Sequence, residues 1–445
     1  MRRFILNLSA AVVALAGMAS MADGAPRIIA VARIDSSVGD KATQTAAALE
    51  NGVAGNLLGG IGSGLSWAGG SRFYALPDRG PNAVKYNAAS DNTSSYIPRV
   101  QVLDMALAPA AGGTLPFTVT PQVSDTVLLS SATRLVYSDG AGVGLKPGIQ
   151  TLNSAGRFYF SGRSDNFDAG KGSDNTANGR FDPESLRFVG GQLYISDEYG
   201  PDLYRFDATT GVRTAVISLP AKLYVAHPAP VGDDEDKANN LGRSANKGME
   251  GLALTPDGKT LVGIMQSPLL QDGGTKAGYV RIIAIDVASG ATREYAYGLD
   301  QVGTPDAPKF AGISEIVAIN SHEFLVDERD GKGLGDGSSA KVKRLYRIDL
   351  NGAAEVSELS GEAALKDKAV AKTLFLDVVA AAGAAGIAPD QVPAKIEGMT
   401  FGPDVTVDGQ TLHTLWLASD NDFKADPNMV FVVGVSDADL PGQGH

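Results

Sequence analysis

Residues 183–198 have the sequence PESLRFVGGQLYISDE, in which an acid precedes an apolar strand, a Gly-Gly turn follows and a second strand ends in acids. Two apolar runs joined by a two-glycine turn are typical of an antiparallel β-hairpin. Because Glu184 starts the first strand while Asp197 and Glu198 end the second, the hairpin brings these carboxylates to one edge. The segment therefore predicts a β-hairpin with acidic groups at one end.

The same unit recurs along the chain, and internal repetition is the signature of a repeat architecture. Four further copies begin near residues 62, 249, 313 and 396. Glu184 and Glu250 are 66 residues apart, and Glu250 and Glu315 are 65 apart. Several copies continue into a third strand that ends in Asp before a Gly turn. A period near 65 residues, with three or four strands per unit, predicts an all-β protein with the fold of a β-propeller.

The spacing of the repeats also predicts the number of blades. Gly64 and Glu184 are 120 residues apart, nearly two periods, so a degenerate blade is expected around residues 118–160. We therefore predict six blades, with seven as the alternative. The longer interval before the last copy is assigned to a helical insertion near residues 362–383, because its Ala, Leu, Lys and Val content favours a helix.

The N-terminus has the pattern of a secretory signal. Arg2 and Arg3 precede an apolar run, and small residues surround a cleavage point after Ala22. A retained membrane anchor is disfavoured, since the run is shorter than the roughly 20 residues that a bilayer requires. We predict a signal peptide at residues 1–22, a single propeller domain at 23–445, location in the periplasm or outside the cell, and no membrane insertion after cleavage.

Composition restricts the classes of partner and chemistry. The chain has no cysteine, which excludes disulfides, thiolate chemistry and sulfur-ligated zinc. Its net charge of −12 argues against nucleic acid or anionic lipid as a partner and favours cation binding. The sequence contains no Gly-x-Ser-x-Gly elbow, no P-loop and no dinucleotide fingerprint. A small-molecule substrate and a monomeric protein are expected.

The repeated acids predict a metal site, because closure of a propeller brings the inner hairpins together around one mouth of the central channel. Clustered carboxylates favour a hard cation such as Ca²⁺. The predicted ligands are Asp78, Asp197, Glu198, Glu250, Glu315, Asp327, Glu328, Glu397, Asp420 and Asp422. The alternative is that these acids cap turns. Arg79 and Arg329 follow strand-end acids and are predicted to bind an anion, with Glu184 as a further catalytic residue.

Five segments resemble a known family, the phytase-like proteins, described as having esterase-like activity of phytase. They are Gly64–Trp67, Phe73–Asn82, Glu250–Ala253, Lys395–Met399 and Ser419–Phe423. The resemblance covers nearly the whole mature chain and implies an exported propeller associated with phosphoester hydrolysis. The chain departs from the repeat where Ser63-Gly64 replaces Glu-Gly and where Gln266-Ser267 replaces the strand-end acids, so fewer ligands are expected than in a complete ring.

The function expected from these features is a metal-dependent phosphoester hydrolase, a phosphatase or phosphodiesterase. In this hypothesis Ca²⁺ at the acidic mouth neutralises the phosphate, the two arginines bind its oxygens, and an acid accepts a proton from the attacking water. A calcium-dependent esterase or lactonase is one alternative and requires an apolar pocket beside the metal. A non-catalytic ligand-binding propeller of the cell envelope is the other.

Overall fold

The structure, a computed structural model, describes residues 25–82, 87–91, 93–137, 151–304, 306–407, 409–440 and 442. The predicted signal peptide, residues 1–22, lies outside this range. In the described segments, no helix has both the length and the apolar character needed to cross a bilayer.

Within these segments the strands form five antiparallel blades, numbered I to V by their innermost strands. Strand β1 (Arg27–Ile34) belongs to blade V. Blade I contains β2 (Gly64–Trp67), β3 (Arg72–Leu76), β4 (Arg99–Pro109) and β5 (Phe117–Leu128). A two-stranded sheet of β6 (Ser130–Ser131) and β7 (Phe158–Tyr159) follows. Blade II contains β8 (Pro183–Val189), β9 (Gln192–Asp197), β10 (Leu203–Asp207) and β11 (Arg213–Ile217).

The remaining three blades have the same order, from an inner strand outward. Blade III contains β12 (Met249–Leu254), β13 (Thr260–Met265), β14 (Tyr279–Asp286) and β15 (Thr292–Gly298). Blade IV contains β16 (Gly312–Ala318), β17 (Glu323–Arg329), β18 (Lys343–Asp349) and β19 (Lys372–Asp377). Blade V contains β20 (Lys395–Phe401), β21 (Val405–Val407), β22 (Gln410–Asp420) and β23 (Asn428–Val435), and β1 completes it.

The inner strands β2, β8, β12, β16 and β20 form a closed ring, in which each contacts the next and β20 contacts β2. The predicted β-propeller is thereby confirmed. The predicted count of six blades is wrong, as is the alternative of seven, because the ring closes with five. Instead of a degenerate blade, the described residues of the 118–160 segment contribute to the outer strand β5 and form the small β6–β7 sheet.

Blade V joins the two ends of the chain, since β1 pairs antiparallel with β23 along its whole length. The core lies between neighbouring blades and consists of apolar and aromatic side chains. The ring of Phe73 in blade I packs at a tilt against Trp416 of blade V with ring centroids 4.6 Å apart, and the Tyr74 ring packs in the same way against Phe188 of blade II at 4.9 Å. Burial of these aromatic faces holds adjacent blades together and fixes the geometry of the mouth.

The helices are short: α1 (Gly232–Ala238), α2 (Glu362–Lys366) and α3 (Val378–Ala384). The helical insertion predicted near residues 362–383 is confirmed at its two ends, by α2 and α3, and is wrong for the residues between them. Strand β19 divides the segment, because its backbone completes blade IV by pairing with β18. Helix propensity is a weak preference, and a row of ladder hydrogen bonds to an existing sheet overrides it here.

Candidate active site

Four inner strands carry a register shift close to their first residues, where the chain faces one mouth of the channel. The residue left unpaired is Glu250 in blade III, Ser314 in blade IV and Glu397 in blade V, and the shift in blade II includes Glu184. An extra residue in one strand redirects a side chain away from the regular alternation of the sheet. The bulges thus place three glutamates at the mouth, with a serine in the equivalent position of blade IV.

The strand ends opposite these bulges supply the second half of the mouth. The pairing places Asp78, Glu198, Gln266, Arg329 and Asp420 at equivalent positions of the five blades. Successive side chains of a strand point to opposite faces of the sheet, so the strand residue next to one of these five points to the other face.

The alternation separates two predicted ligands from the mouth. Asp197 accepts hydrogen bonds from the amides of Asp182, Tyr199 and Gly200, as a turn cap does. Glu328 accepts hydrogen bonds from the Tyr297 hydroxyl and from the ammonium of Lys372, between blades III and IV. Neither carboxylate belongs to a close group of acids in the described residues, although Asp182 lies near enough to Asp197 to help raise its pKa.

We call the converging carboxylates the acidic mouth: Asp78, Asp182, Glu184, Glu198, Glu250, Glu397 and Asp420. Oxygens of Asp78, Asp182 and Glu184 lie within 4.8 Å of one another, and so do oxygens of Glu184, Glu198 and Glu250. All five of these side chains are buried, and Glu184 belongs to both groups. The arrangement can hold one or two hard cations through carboxylate oxygens.

The sequence analysis missed Asp182 as a member of this cluster. It lies two residues before Glu184, in Phe181-Asp182-Pro183-Glu184, one position outside β8. The backbone carbonyl of Asp182 accepts a hydrogen bond from the amide of Glu198, which extends the hairpin by one pair. The repeat does not indicate this position, since Gly248 occupies the equivalent site in blade III.

Three basic side chains balance part of this charge. Arg79 forms an ion pair with Asp182, lies 3.7 Å from Glu198 and donates to Asn246. Arg329 pairs with Glu397 and donates a 2.7 Å hydrogen bond from Nε to the Ser314 hydroxyl.

Lys395 contacts acids of blade V, with its Nζ 3.0 Å from Asp420 and 2.5 Å from Asp422. Asp422 also pairs with Lys424 at 2.9 Å, so its charge is compensated at the edge of the mouth. Lys247 also acts on Glu198 and Glu250, so seven carboxylates against these four basic groups leave an excess of three negative charges if all are ionised.

Burial and mutual repulsion disfavour that fully ionised state. Burial raises the pKa of Glu184 well above its ordinary value of 4.5, and the neighbouring Glu250 adds to the effect. The pKa of Glu250 is raised by burial and then by Glu198. Burial, reinforced by Asp182, raises the pKa of Glu198 to about 7. One oxygen of Glu250, Oε2, is buried without a hydrogen-bond partner in the described chain. A bound cation would relieve both the repulsion and the missing contact.

Below the mouth, Glu315 and Arg187 form a second layer that we call the channel plug. The two side chains are 3.1 Å apart and buried, and Glu315 also accepts hydrogen bonds from the Ser185 hydroxyl and the Leu252 amide. Arg187 donates to the carbonyl oxygen of Leu65 at 3.0 Å. The plug therefore ties blades I to IV together, and the carboxylate of Glu315 is satisfied without a metal.

Asp327 lies in the same layer as Glu315, because the two residues are paired in the β16–β17 ladder. Burial raises its pKa to about 8, although Arg329 opposes the shift. Its Oδ2 has no hydrogen-bond partner in the described residues. Asp327 is two positions short of Asp78 and Asp420 in register, so it faces the channel at greater depth than they do.

Comparisons with known proteins identify the family of this chain. The family model "Phytase-like: Esterase-like activity of phytase" matches residues 56–423, well over half of the chain. The chain belongs to the phytase-like family. A relative from Arthroderma benhamiae, named as an uncharacterized secreted protein, is 30% identical over 320 residues. That match covers 62% of this chain and 60% of the relative.

Solved structures share less with this phytase-like chain. A Bacteroides uniformis protein provisionally assigned as a 6-phosphogluconolactonase is 15% identical, with a TM-score of 0.32 and coverage of 84% of this chain and 86% of that one. A Thermus thermophilus protein provisionally assigned as an oxidoreductase (glucose dehydrogenase) is 13% identical, with a TM-score of 0.28 and coverage of 81% and 79%. Likenesses this weak carry no argument about function.

The raised pKa values predict that the metal-free protein loses stability as the pH rises. A carboxyl group whose pKa is higher in the folded protein than in the unfolded chain stabilises the fold fully below about pH 4.5, where it is protonated in both states. This stabilisation is lost as the pH rises through the folded-state pKa, which is about 6 for Asp420, 7 for Glu198 and 8 for Asp327. In EDTA at constant ionic strength, we expect Tm to fall by about 5 °C between about pH 5 and pH 8. A Tm that is constant or rises over this interval would contradict the shared burial of these acids.

Proposed function

We propose that this protein is an exported hydrolase of phosphate esters that uses a divalent cation, most simply Ca²⁺, at the acidic mouth. The observation that carries the proposal is the convergence of buried carboxylates from different blades beside Arg79, Arg329 and Lys395. Membership of the phytase-like family supports hydrolysis. The predicted signal peptide and the relative that is named as a secreted protein support export.

The residues fit a hard divalent cation. The donors are carboxylate oxygens, which suit Ca²⁺, and they are close enough to share one ion. The unpartnered Oε2 of Glu250 offers a free lone pair within the cluster. Asp78, Asp182, Glu184, Glu198 and Glu250 would hold the ion. The cation supplies charge neutralisation and Lewis acidity toward the phosphate.

Glu184 was predicted as a catalytic residue, and we now assign it to binding of the cation. Its place in both carboxylate groups suits a bridging ligand better than a group that must exchange protons with solvent. Burial and the neighbouring Glu250 both disfavour the ionised form of Glu184, and a positive charge between the two carboxylates would stabilise it.

The basic groups would orient the substrate. Arg79 follows the second strand of blade I and Arg329 ends that of blade IV, and both remain partly accessible, with 13% of each side chain exposed. Guanidinium groups donate to two phosphate oxygens at once and neutralise their charge. Binding at both arginines would hold the phosphorus atom over the acidic mouth and would favour the more negatively charged transition state.

Asp420 is the proposed general base. It lies at the mouth beside Asp78 but outside both close carboxylate groups. Burial, partly offset by Lys395, raises its pKa to about 6. A base with a pKa near the working pH can be ionised and still accept a proton from water. Lys395, 3.0 Å away, would hold the carboxylate in position during the transfer.

An assay of the purified protein tests the proposal. We expect hydrolysis of phosphomonoester or phosphodiester substrates with added Ca²⁺, and a loss of about 100-fold or more after EGTA treatment. Restoration by Ca²⁺ separates metal removal from denaturation, and carboxylic ester and lactone substrates serve as comparison. Phosphate ester turnover that EGTA does not affect would contradict the metal requirement. Turnover of carboxylic esters or lactones alone would contradict the phosphoester assignment.

A further inference from the structure

A cavity of about 510 Å³ adjoins the acidic mouth between blades III and IV. Gln266 and Arg329, which occupy equivalent mouth positions of these two blades, both line it, so the cavity and the mouth share a wall. Lys247 also lines it and lies close enough to Glu198 and Glu250 to lower their pKa values. A molecule bound at the mouth can therefore extend directly into this cavity.

The lining of the cavity is positively charged, whereas the chain as a whole is negatively charged. Its basic lining residues are Lys247, Lys309, Arg329, Lys332 and Lys341. Asp330 is the one carboxylate in the lining, and its Oδ1 is already 2.6 Å from the Nζ of buried Lys343. In a protein with a net charge of −12, this local excess of positive charge attracts anions to one side of the mouth.

Three of these lysines form no ion pair in the described residues, although one of them, Lys247, lies near Glu198 and Glu250. Lys332 pairs with Asp336 at 3.0 Å, whereas Lys247, Lys309 and Lys341 form no ion pair with any described carboxylate. Lys309 and Lys341 are exposed, so their ammonium groups are available to a ligand. Phe310, Pro268 and Leu299 add an apolar wall to the same cavity. The lining thus combines contacts for a carbon skeleton with free positive charges.

We propose that this basic cavity binds a second anionic group of the substrate, carried on the part of the molecule that remains attached to the leaving oxygen. The proposal rests on the proposed function, because the mouth would hold the phosphate that is cleaved. The substrate class is then an organic phosphate ester with another carboxylate or phosphate, joined to the ester by a compact apolar skeleton.

Two isosteric substrates test this directly: 4-carboxyphenyl phosphate, which carries the second anion, and 4-carbamoylphenyl phosphate, which does not. We expect the wild-type KM to be about fivefold lower for the carboxylate than for the amide. In a Lys309→Ala/Lys341→Ala double variant the ratio of the two KM values should approach one. Added salt should reduce the wild-type ratio, since the lysines are exposed.

A matched control is Lys366→Ala/Lys368→Ala, which removes two exposed lysines outside the cavity. This double variant should keep the wild-type ratio of the KM values for the amide and the carboxylate substrates. A bisphosphate, 1,4-phenylene bisphosphate, distinguishes a preference for a second phosphate from one for a carboxylate. Equal KM values for the carboxylate and the amide in the wild-type protein would overturn the proposal, as would a preference that survives loss of both lysines.

Binding of the corresponding phosphonates, measured by isothermal titration calorimetry with Ca²⁺ present, separates the two proposals. Phosphonates are not hydrolysed, so this readout does not depend on turnover. If phosphate esters are not cleaved but 4-carboxyphenylphosphonate binds more tightly than its amide through Lys309 and Lys341, the hydrolase assignment fails and the anion site stands. If esters are cleaved and the two phosphonates bind equally, the anion site fails alone.

Discussion

A Glu184→Gln variant is expected to lose about 100-fold or more in kcat/KM for phosphate esters, while its metal-free form melts at a higher temperature than the wild type. The loss follows because Glu184 belongs to both groups of close carboxylates, so the substitution removes a charged ligand from each. The gain in Tm follows because the substitution also removes one of several buried like charges.

Measurement of both quantities on the same preparation distinguishes this role from a structural one. A merely structural glutamate would lower Tm and activity together. Calorimetric titration with Ca²⁺ should show weaker binding for Glu184→Gln, and Ca²⁺ should raise its Tm less than it raises that of the wild type. Glu358→Gln is the matched control, because Glu358 is exposed and distant in sequence from every residue of the mouth. Activity within threefold of wild type would refute the assignment.

Replacement of Glu315 by alanine is expected to lower the free energy of unfolding by about 3–5 kcal/mol. Arg187 would be left buried without its carboxylate partner, and the Ser185 hydroxyl and Leu252 amide would lose an acceptor. The effect is large because a buried charge without a partner costs more than an absent pair does. Urea unfolding monitored by tryptophan fluorescence measures it.

The Arg187→Met/Glu315→Gln double variant provides the comparison. It removes both charges and should recover much of the loss, because no buried ion remains. Neither Glu315→Ala nor the double variant changes a carboxylate of the acidic mouth, so calorimetry should still detect Ca²⁺ binding to whatever fraction is folded. A change of less than about 1 kcal/mol in Glu315→Ala would show that the channel plug does not support the ring of inner strands.

These predictions depend on an alignment of the repeats that only the strand pairing reveals. The sequence repeat aligns Glu315 with Glu250 and Glu397, because each is a glutamate at the start of the first apolar strand of its copy. The bulge of blade IV falls one residue earlier, at Ser314, and moves Glu315 into the layer below. A shift of one residue moves a side chain to a different face, and the sequence pattern does not record where an extra residue is accommodated.

The number of blades and the presence of strand β19 also depend on contacts that the local sequence does not show. A degenerate blade is expected around residues 118–160, yet the inner strands β2 and β8 contact each other directly, so the described residues of this segment place no inner strand between them. Residues 372–377 lie in a stretch with helical composition, but they form β19 because the edge of β18 was available for pairing. Both outcomes depend on contacts between parts of the chain that are distant in sequence.

The amino-acid sequence determined what is local in this protein: apolar strands joined by tight turns, their repetition along the chain, and acids at one end of each hairpin. Those properties depend on residue type and turn chemistry within a few residues, so the propeller could be predicted from them. The tertiary structure decided the five-fold closure, the inclusion of Asp182 in the mouth and the separation of Asp197, Glu315 and Glu328 from it. Each of these follows from register and ring packing, which are set by the free energy of the whole assembly of blades.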